Sequence, residues 1–176
     1  MKDILQQILN SMKSILALIF ITGSLITSAQ TAPKPAPASP IVAYGTPISL
    51  ENAKKIIAVA ESFAVGKQYT VAIAIVDTGG NLVAFEKMDN TQVGSIEVAM
   101  GKAKTANNFK RPTKALDDVL AGGGVGLRVL SLPAYPIEGG EPIFSDGKII
   151  GAIGVSGMSS AQDVEVVKAA LAGVKW

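Results

Sequence analysis

Positive charge is concentrated in one short segment of this 176-residue sequence. Residues 101–115 hold five of the 16 Lys and Arg residues and no acidic residue: Lys102, Lys104, Lys110, Arg111 and Lys114. Such a segment can hold a carboxylate or a phosphate. The proline after Arg111 restricts the backbone there, which suits a fixed fork of donors. A solvated helix face is the alternative interpretation, and Lys104 is the candidate for that face.

Carboxylates are the other groups that could do chemistry. Asp77, Glu86 and Asp89 flank a predicted hairpin, where they could carry protons, although carboxylates at hairpin ends also cap turns. These 176 residues contain no histidine and no cysteine. Ser-His-Asp and Cys-His nucleophile systems, imidazole bases, disulfides and thiolate metal sites are therefore excluded. Any catalysis would rest on carboxylates and lysines.

Glycine clusters suggest a nucleotide site, but their spacing does not match one. The cluster at residues 122–126 lacks the third glycine of a dinucleotide fingerprint, and Gly101-Lys102 lacks the spacing and hydroxyl of a phosphate-binding loop. Another glycine series recurs at every third position of a predicted strand: Gly151, Gly154 and Gly157. Close packing beneath a helix is the favoured interpretation of this series, and a ligand wall is the alternative.

Residues 1–29 have the pattern of a signal peptide. The uncharged run Ile15–Ile26 follows basic residues and is too short to span a bilayer comfortably. Cleavage before Gln30 would leave small residues at positions −3 and −1. Met12 is as good a start as Met1, and an uncleaved membrane anchor is the alternative interpretation. We expect a periplasmic or secreted protein with no stable membrane insertion after cleavage.

Residues 30–47 form a Pro-rich linker, and residues 48–176 form one domain. The linker holds five of the nine prolines and no acidic residue, so we expect an extended, solvated spacer. The remaining residues suit a single hydrophobic core. The formal net charge of +2 gives no general attraction to nucleic acid, and the basic segment offers one aromatic residue, Phe109, for stacking on bases. We expect no nucleic-acid partner.

Hydrophobic periodicity predicts the first half of the domain. Ser49 caps a helix that ends at Gly66. The segment Thr70–Asp77 is apolar on both faces, which predicts a central strand, and Leu82–Met88 returns as the second strand of a hairpin. A helix follows over Val93–Phe109.

The second half begins with a short helical stretch over Thr113–Leu120, after which a Gly- and Pro-rich loop leads to another hairpin. Asp146-Gly147 is a strong signal for the turn of that hairpin. Ser160 and Asp163 form a capping-box pattern at the start of a last helix. The order helix, hairpin, helix, hairpin, helix favours an α+β fold, an antiparallel sheet flanked by helices.

Seven short motifs, in this order along the chain, resemble the GlcG/HbpS haem-binding-protein family. They are Val76-Asp77 with Gly80-Asn81-Leu82, Met88-Asp89, Lys102–Ala106, Arg111–Thr113, Gly139–Ile143, Gly151–Gly157 and Gln162-Asp163. The resemblance covers roughly residues 48 to 173. It implies a profilin-like fold, assembly into dimers or larger oligomers, and haem binding in at least some members, including exported ones.

The resemblance also implies site residues. It places Thr113, in the Arg-Pro-Thr motif, beside a candidate haem pocket, where Arg111 could pair with a propionate. Relatives often have histidine where Asn81 stands, so an iron ligand in this chain must be a Tyr, Met, Lys or Thr side chain. Tyr135 and Met88 are further ligand candidates on chemical grounds alone.

The leading hypothesis is an exported haem (tetrapyrrole) binding protein for haem capture, sequestration or sensing, and not an enzyme. We expect it to form a homo-oligomer. The alternative is an enzyme or accessory protein acting on a small organic acid such as glycolate. The basic segment would then hold the carboxylate, and Asp77 or Glu86 would carry the proton. A structural oligomer without a ligand is the third hypothesis.

Overall fold

The computed structural model describes residues 42–174 and the isolated residue Ile4. The predicted signal peptide and the first part of the predicted linker lie outside the described residues, apart from Ile4. Within the described part, no helix combines the length and apolar character needed to cross a membrane.

Four strands form one antiparallel sheet in the order β2-β1-β4-β3. In chain order the elements are α1 (Leu50–Lys67), β1 (Ala72–Asp77), β2 (Leu82–Lys87), α2 (Ser95–Phe109), α3 (Lys114–Ala121), a 3₁₀ helix (Gly124–Ser131), β3 (Gly140–Ser145), β4 (Lys148–Ser156) and α4 (Ser160–Ala172). The strand β1 pairs with both β2 and β4, so it is central, as its apolar sequence predicts. The predicted α+β fold is confirmed.

The two faces of the sheet carry side chains of different size. On one face, Ile73 and Ile75 of β1 pack in a large cluster with α1 and α4. On the other face, Ala72 and Ala74 pack with the alanines of α2. Because side chains alternate along a strand, one strand supplies both layers. The small residues allow α2 to lie close to the sheet.

The glycine series of β4 marks close packing. A Cβ atom on Gly154 would lie 2.1 Å from the carbonyl oxygen of Ala99 in α2. On Gly151 and Gly157 a Cβ would lie 2.2 and 2.1 Å from backbone oxygens of neighbouring segments. All three glycines are therefore closely packed, but only Gly154 lies beneath a helix, as predicted; Gly151 and Gly157 meet the backbone of Val76 and Thr70.

The caps of two helices differ from the predicted ones. Helix α1 continues through Gly66 to Lys67 and is capped by Gln68, which takes the left-handed conformation with φ 59°. The capping box of α4 is formed by Ser159 and Gln162, one residue earlier than predicted. This shift matters because it releases Asp163 from capping and leaves its carboxylate for another partner.

The end of the predicted linker is bound to the domain. Strand β4 extends beyond β1, and its residue Ile149 donates to the carbonyl of Ala43 at 3.0 Å and accepts from Gly45 at 2.7 Å. The hydroxyl of Tyr44 donates to the Asn107 carbonyl at 2.8 Å. Residues 43–45 therefore lie along the end of β4 that β1 leaves free, while residues 43, 44, 46 and 47 are exposed.

Candidate functional site

The basic segment does not form one charged surface, because Lys102 is buried. Its side chain is 2% exposed, and its ammonium lies 2.8 Å from a carboxylate oxygen of Asp163 and donates to the Val155 carbonyl at 3.0 Å. The prediction that Lys102 helps to hold an external anion is therefore wrong. Its charge is neutralised inside the domain by an acid 61 positions later in the chain.

Lys102 belongs to a buried polar group that we call the motif cluster: Lys102, Thr113, Gly139, Gly140 and Asp163. Gly139 has φ +117°, and a Cβ there would lie 2.8 Å from the Lys102 ammonium. Glycine is therefore required both by the backbone and by the ion pair. Burial raises the pKa of Asp163, while Lys102 and the amide of Met158, which donates at 3.1 Å, act in the opposite direction.

Thr113, the residue that the resemblance places beside a haem pocket, is completely buried. Its hydroxyl accepts from the Gly140 amide at 3.0 Å, and its own amide donates to the Gly140 carbonyl at 3.0 Å. These bonds join the start of α3 to the start of β3. Because Thr113 is fully buried, contact between its hydroxyl and haem would require the residues that cover it to move.

The other four cations of the segment have different surroundings. Lys110 donates to the Val42 carbonyl at 2.8 Å and lies over the ring of Tyr44. Lys114 forms an ion pair with Asp118, one turn later in α3. Lys104 is exposed, as expected for a solvated face, and it forms no salt bridge with a described residue.

Arg111 is exposed at the end of α2. Its Nε–H donates to the Phe109 carbonyl at 3.0 Å, which fixes the plane of the guanidinium. The terminal amino groups make no salt bridge with residues 42–174. Since an oriented guanidinium matches the geometry of a carboxylate, Arg111 is the residue of the segment best placed to bind an external anion.

A depression of about 310 Å³ lies next to Arg111 in the sequence, at Pro112, and we call it the Pro112 depression. Its walls come from Pro112, Lys114, Ala115, Asp118, Glu141, Val164 and Lys168. Two of the seven motifs meet here, through Pro112 and Glu141. Burial raises the pKa of Glu141, and Lys168 acts to lower it. The depression thus joins apolar side chains to a shielded carboxyl and a lysine.

Two larger cavities contain none of the four predicted binding residues. One, of about 470 Å³, lies at the start of α1, and the other, of about 360 Å³, lies between α1 and β2. The second is lined by Glu61 and Glu86, and burial together with Glu61 raises the pKa of Glu86. Helix α1 and Arg111, which follows α2, belong to opposite faces of the sheet. The structure therefore does not bring Glu86 to the basic segment.

The Asp77 carboxylate is engaged in the hydrogen bonds of the β1–β2 turn. Partial burial acts to raise its pKa, but hydrogen bonds from Asn81, Gly79 and Gly80 outweigh this and hold it below its usual value. Its Oδ1 accepts from the amides of Gly79 at 2.8 Å and Asn81 at 2.9 Å. The Asn81 side chain also donates to this carboxylate. Asp77 and Asn81 stabilise the β1–β2 turn, and neither side chain is an available iron ligand.

The two ligand candidates chosen on chemical grounds lie on different sides of the sheet. Met88 is partly buried against the cluster beneath α1 and α4. Tyr135 lies on α2: its amide donates to Thr105 Oγ1 at 2.8 Å, and its ring covers Gly101, where a Cβ would lie 2.3 Å from it. The ring is 40% exposed. Tyr135 therefore remains accessible, whereas Met88 serves the core.

A family model described as "Haem degrading protein HbpS-like" matches residues 48–172. The chain belongs to this HbpS-like family. Protein GlcG of Escherichia coli K12 is 38% identical over 109 residues, which cover 62% of this chain and 81% of GlcG. The range 48–172 that the family model matches includes the motif cluster, Arg111 and the Pro112 depression, but not residues 42–47.

Solved structures of HbpS-like relatives share the fold. The crystal structure of a PduOC:haem complex superposes with a TM-score of 0.67 at 30% identity, covering 73% of this chain and 96% of that chain. The crystal structure of HbpS gives a TM-score of 0.68 at 28% identity, covering 80% and 99%. The α+β architecture inferred from the order of helices and hairpins is thus that of the HbpS-like relatives.

Sequence reasoning missed the roles of Glu141, Val164 and Lys168. Glu141 stands within the Gly-Gly-Glu-Pro motif, so its position was a signal, although the motif alone assigns it no partner. Val164 and Lys168 are four residues apart in α4 and share one face of the helix. Only the packing of α4 beside β3 shows that this face borders Pro112.

Proposed function

We propose that this HbpS-like chain binds haem and serves in haem capture, sequestration or sensing. The observation that carries the proposal is its 30% identity, over 96% of that chain, to a relative crystallised as a haem complex. The family description supports the same ligand. No catalytic step is part of the proposal.

The surface beside Arg111 suits the carboxylate edge of haem. Arg111 offers an oriented guanidinium for a propionate, and Pro112, the next residue in the sequence, offers apolar contact in the depression together with Ala115 and Val164. A volume of about 310 Å³ is at the lower end of ligand pockets, which run from roughly 300 to 1,000 Å³. The depression would therefore hold one edge of the macrocycle, and the remainder would lie on the neighbouring surface.

Two of the candidate side chains for the iron ligand, a tyrosine and a lysine, are accessible. The Thr113 hydroxyl is hydrogen-bonded to the Gly140 amide, and the Met88 side chain packs against the core, so we do not propose either as the ligand. The phenol of Tyr135 is accessible, and Lys168 lines the Pro112 depression without the close acidic partner that Lys114 has. Tyrosine is an established axial ligand of haem iron. We propose Tyr135 or Lys168 as the axial ligand.

A spectral titration with haemin tests the function. The chain beginning at Gln30 should shift the Soret band and saturate at a fixed stoichiometry, and the absence of both would overturn the proposal. Tyr135→Phe and Lys168→Met should each be compared with the control variant Tyr69→Phe. In the wild type the Tyr69 hydroxyl donates to Glu165. The variant that alters the visible bands identifies the ligand; if both keep the wild-type spectrum, the ligand assignment is wrong.

We further propose that the chain is exported and is periplasmic or secreted. The support is the uncharged run Ile15–Ile26 with small residues before Gln30. Mass spectrometry of protein from the native cell envelope should show an N-terminus at or near Gln30. Mature protein that retains Met1 or Met12 would contradict cleavage.

A further inference from the structure

Residues 42–45, which we call the strap, connect the sheet to the end of α2. On one side the strap backbone pairs with β4, through both hydrogen-bonding groups of the Ile149 backbone. On the other side the Tyr44 hydroxyl donates to the Asn107 carbonyl at 2.8 Å, and the Lys110 ammonium donates to the first carbonyl of the strap at 2.8 Å. The strap is therefore bound at the same time to the free end of β4 and to the C-terminus of α2.

Lys110 links the strap to the backbone turn that ends α2. It caps the helix with φ 53°, in the left-handed region, which is disfavoured for side chains other than those of glycine, asparagine and aspartate. The ammonium of Lys110 also lies 4.3 Å from the centre of the Tyr44 ring, an attractive position for a cation. The strap thus holds the side chain of the residue at which the chain leaves the helix.

Arg111 follows Lys110 directly, and its direction depends on this turn. Its amide donates to the Ala106 carbonyl at 3.2 Å, and its Nε–H donates to the Phe109 carbonyl at 3.0 Å. Both acceptors belong to the last turn of α2, to which the strap is bonded through the Asn107 carbonyl. The orientation of the guanidinium therefore rests on a helix end that the strap holds in place.

We propose that the strap is a positioning element, which keeps the end of α2 in the conformation that presents Arg111 to a carboxylate of the ligand. The proposal rests on the proposed function, and it gives Tyr44 and Lys110 a role without ligand contact. Coupling between two sites is reciprocal, so a ligand bound at Arg111 holds the strap more tightly by the same factor. The segment that joins the Pro-rich linker to the domain is thereby sensitive to the ligand.

Hydrogen exchange followed by mass spectrometry tests the hold on α2 without any ligand. In the full chain and in the chain beginning at Gln30, Tyr44→Ala and Lys110→Ala should each speed amide exchange over residues 106–111, because local opening becomes easier. Lys104→Ala is the matched control, since it removes the same charge from an exposed position of the same helix, and it should exchange like the wild type. Unchanged exchange in both strap variants would overturn the proposal.

Haemin titration tests the effect on binding. Tyr44→Ala and Lys110→Ala should each weaken haemin affinity at least about fivefold, the lower end of typical coupling between two sites, while Lys104→Ala binds like the wild type. Because the strap acts through Arg111, adding Tyr44→Ala to Arg111→Ala should cause no further loss. Haemin should in turn slow exchange over residues 42–45 of the wild type. Unchanged affinity in Tyr44→Ala, or an equal loss in the Arg111→Ala background, would overturn the positioning role.

The two measurements separate this proposal from the proposed function. A wild-type chain that does not bind haemin overturns the proposed function, and exchange in the ligand-free chain still decides whether the strap holds the end of α2. Tyr44→Phe keeps the ring beneath Lys110 and loses one hydrogen bond, so its exchange and affinity should lie between those of Tyr44→Ala and the wild type. Circular dichroism should show folded variants, since the Tyr44 side chain lies outside the core and is 40% exposed.

Discussion

Lys102 and Arg111 come from the same basic segment, yet the fold gives them opposite surroundings. Lys102 lies within α2 between residues that pack on the sheet, and its ammonium is enclosed with Asp163. Arg111 follows the left-handed cap of the same helix and is exposed. Position relative to the helix end, rather than local charge, decides which cation serves the fold and which one faces a ligand.

The family motifs divide in the same way between the buried interior and the surface. Residues of four motifs form the buried motif cluster, which is held together by hydrogen bonds and an ion pair, and a fifth motif supplies the Val155 carbonyl to which Lys102 donates. Only two motifs contribute residues to the Pro112 depression, through Pro112 and Glu141. Motif similarity therefore marks the scaffold more than the ligand contacts.

Breaking the buried ion pair should have the largest effect. Lys102→Met leaves the Asp163 carboxylate buried without its cation, and we expect a loss of about 3 to 5 kcal/mol in the free energy of unfolding. Denaturant unfolding measures it. Adding Asp163→Asn to Lys102→Met should recover most of the loss. A loss below about 1 kcal/mol for the single variant would show that the pair does not hold the scaffold.

Adding a side chain at the close contact between β4 and α2 should reduce the free energy of unfolding by less than breaking the ion pair does. Gly154→Ala puts a methyl group against the backbone of α2, and we expect a loss of about 1 to 3 kcal/mol. Gly66→Ala is the matched control: its Cβ meets nothing within 4 Å inside α1, so it should stabilise the protein by roughly 0.5 to 1 kcal/mol. Equal stability changes in thermal unfolding would refute the close-packing account.

A variant of Thr113 tests whether this residue stabilises the scaffold or contacts the ligand. Thr113→Val keeps the shape but leaves the Gly140 amide without its acceptor, which should lower stability by about 1 to 3 kcal/mol. Haem affinity of the folded variant should remain that of the wild type. A tenfold loss of haem affinity with unchanged stability would place Thr113 at the ligand, as the family resemblance implies.

Glu86 contrasts with Asp163, because it faces another carboxyl instead of a cation. Its pKa is raised above the ordinary 4.5, so the folded state binds its proton more tightly than the unfolded state. That contribution to stability is present below pH 4.5 and is lost as pH rises through the raised pKa. Glu86→Gln should therefore stabilise the protein by a few tenths of a kcal/mol at pH 7 and by nothing near pH 4. Asp89→Asn is the exposed control, and a pH-independent Glu86→Gln effect would refute the assignment.

Much of the fold follows from periodicity and turn chemistry, while the site depends on long-range packing. The turn at Asp146-Gly147 has positive φ at both residues, as its sequence predicts. The capping pattern was misplaced by one residue because Ser159 and Ser160 are adjacent and both precede an acidic or amide partner by three positions. That shift concealed the partner of Lys102, since nothing local links residues 61 positions apart.

The contacts of the linker and of the Pro112 depression also depend on long-range packing that the local sequence does not predict. Proline content predicts an extended segment, but composition does not reveal that the free end of β4 is there to pair with residues 43–45. Likewise, Pro112, Glu141 and Lys168 become neighbours only when α3, β3 and α4 meet. Arg111 is exposed and Lys102 is buried, and only the packing of the domain separates these two cations of one segment.

The most direct test of the account compares haem affinity in Arg111→Ala and Lys104→Ala at low and high salt. Loss of the oriented guanidinium should weaken binding by about 1.5 to 3 kcal/mol, the contribution of a charge-assisted hydrogen bond, which is tenfold or more in affinity. Lys104→Ala should bind haem like the wild type, and the Arg111→Ala loss should persist at high salt because a specific contact is screened less than long-range attraction. Equal losses in both variants that fade together with salt would contradict a specific Arg111 contact and show a diffuse electrostatic surface in its place.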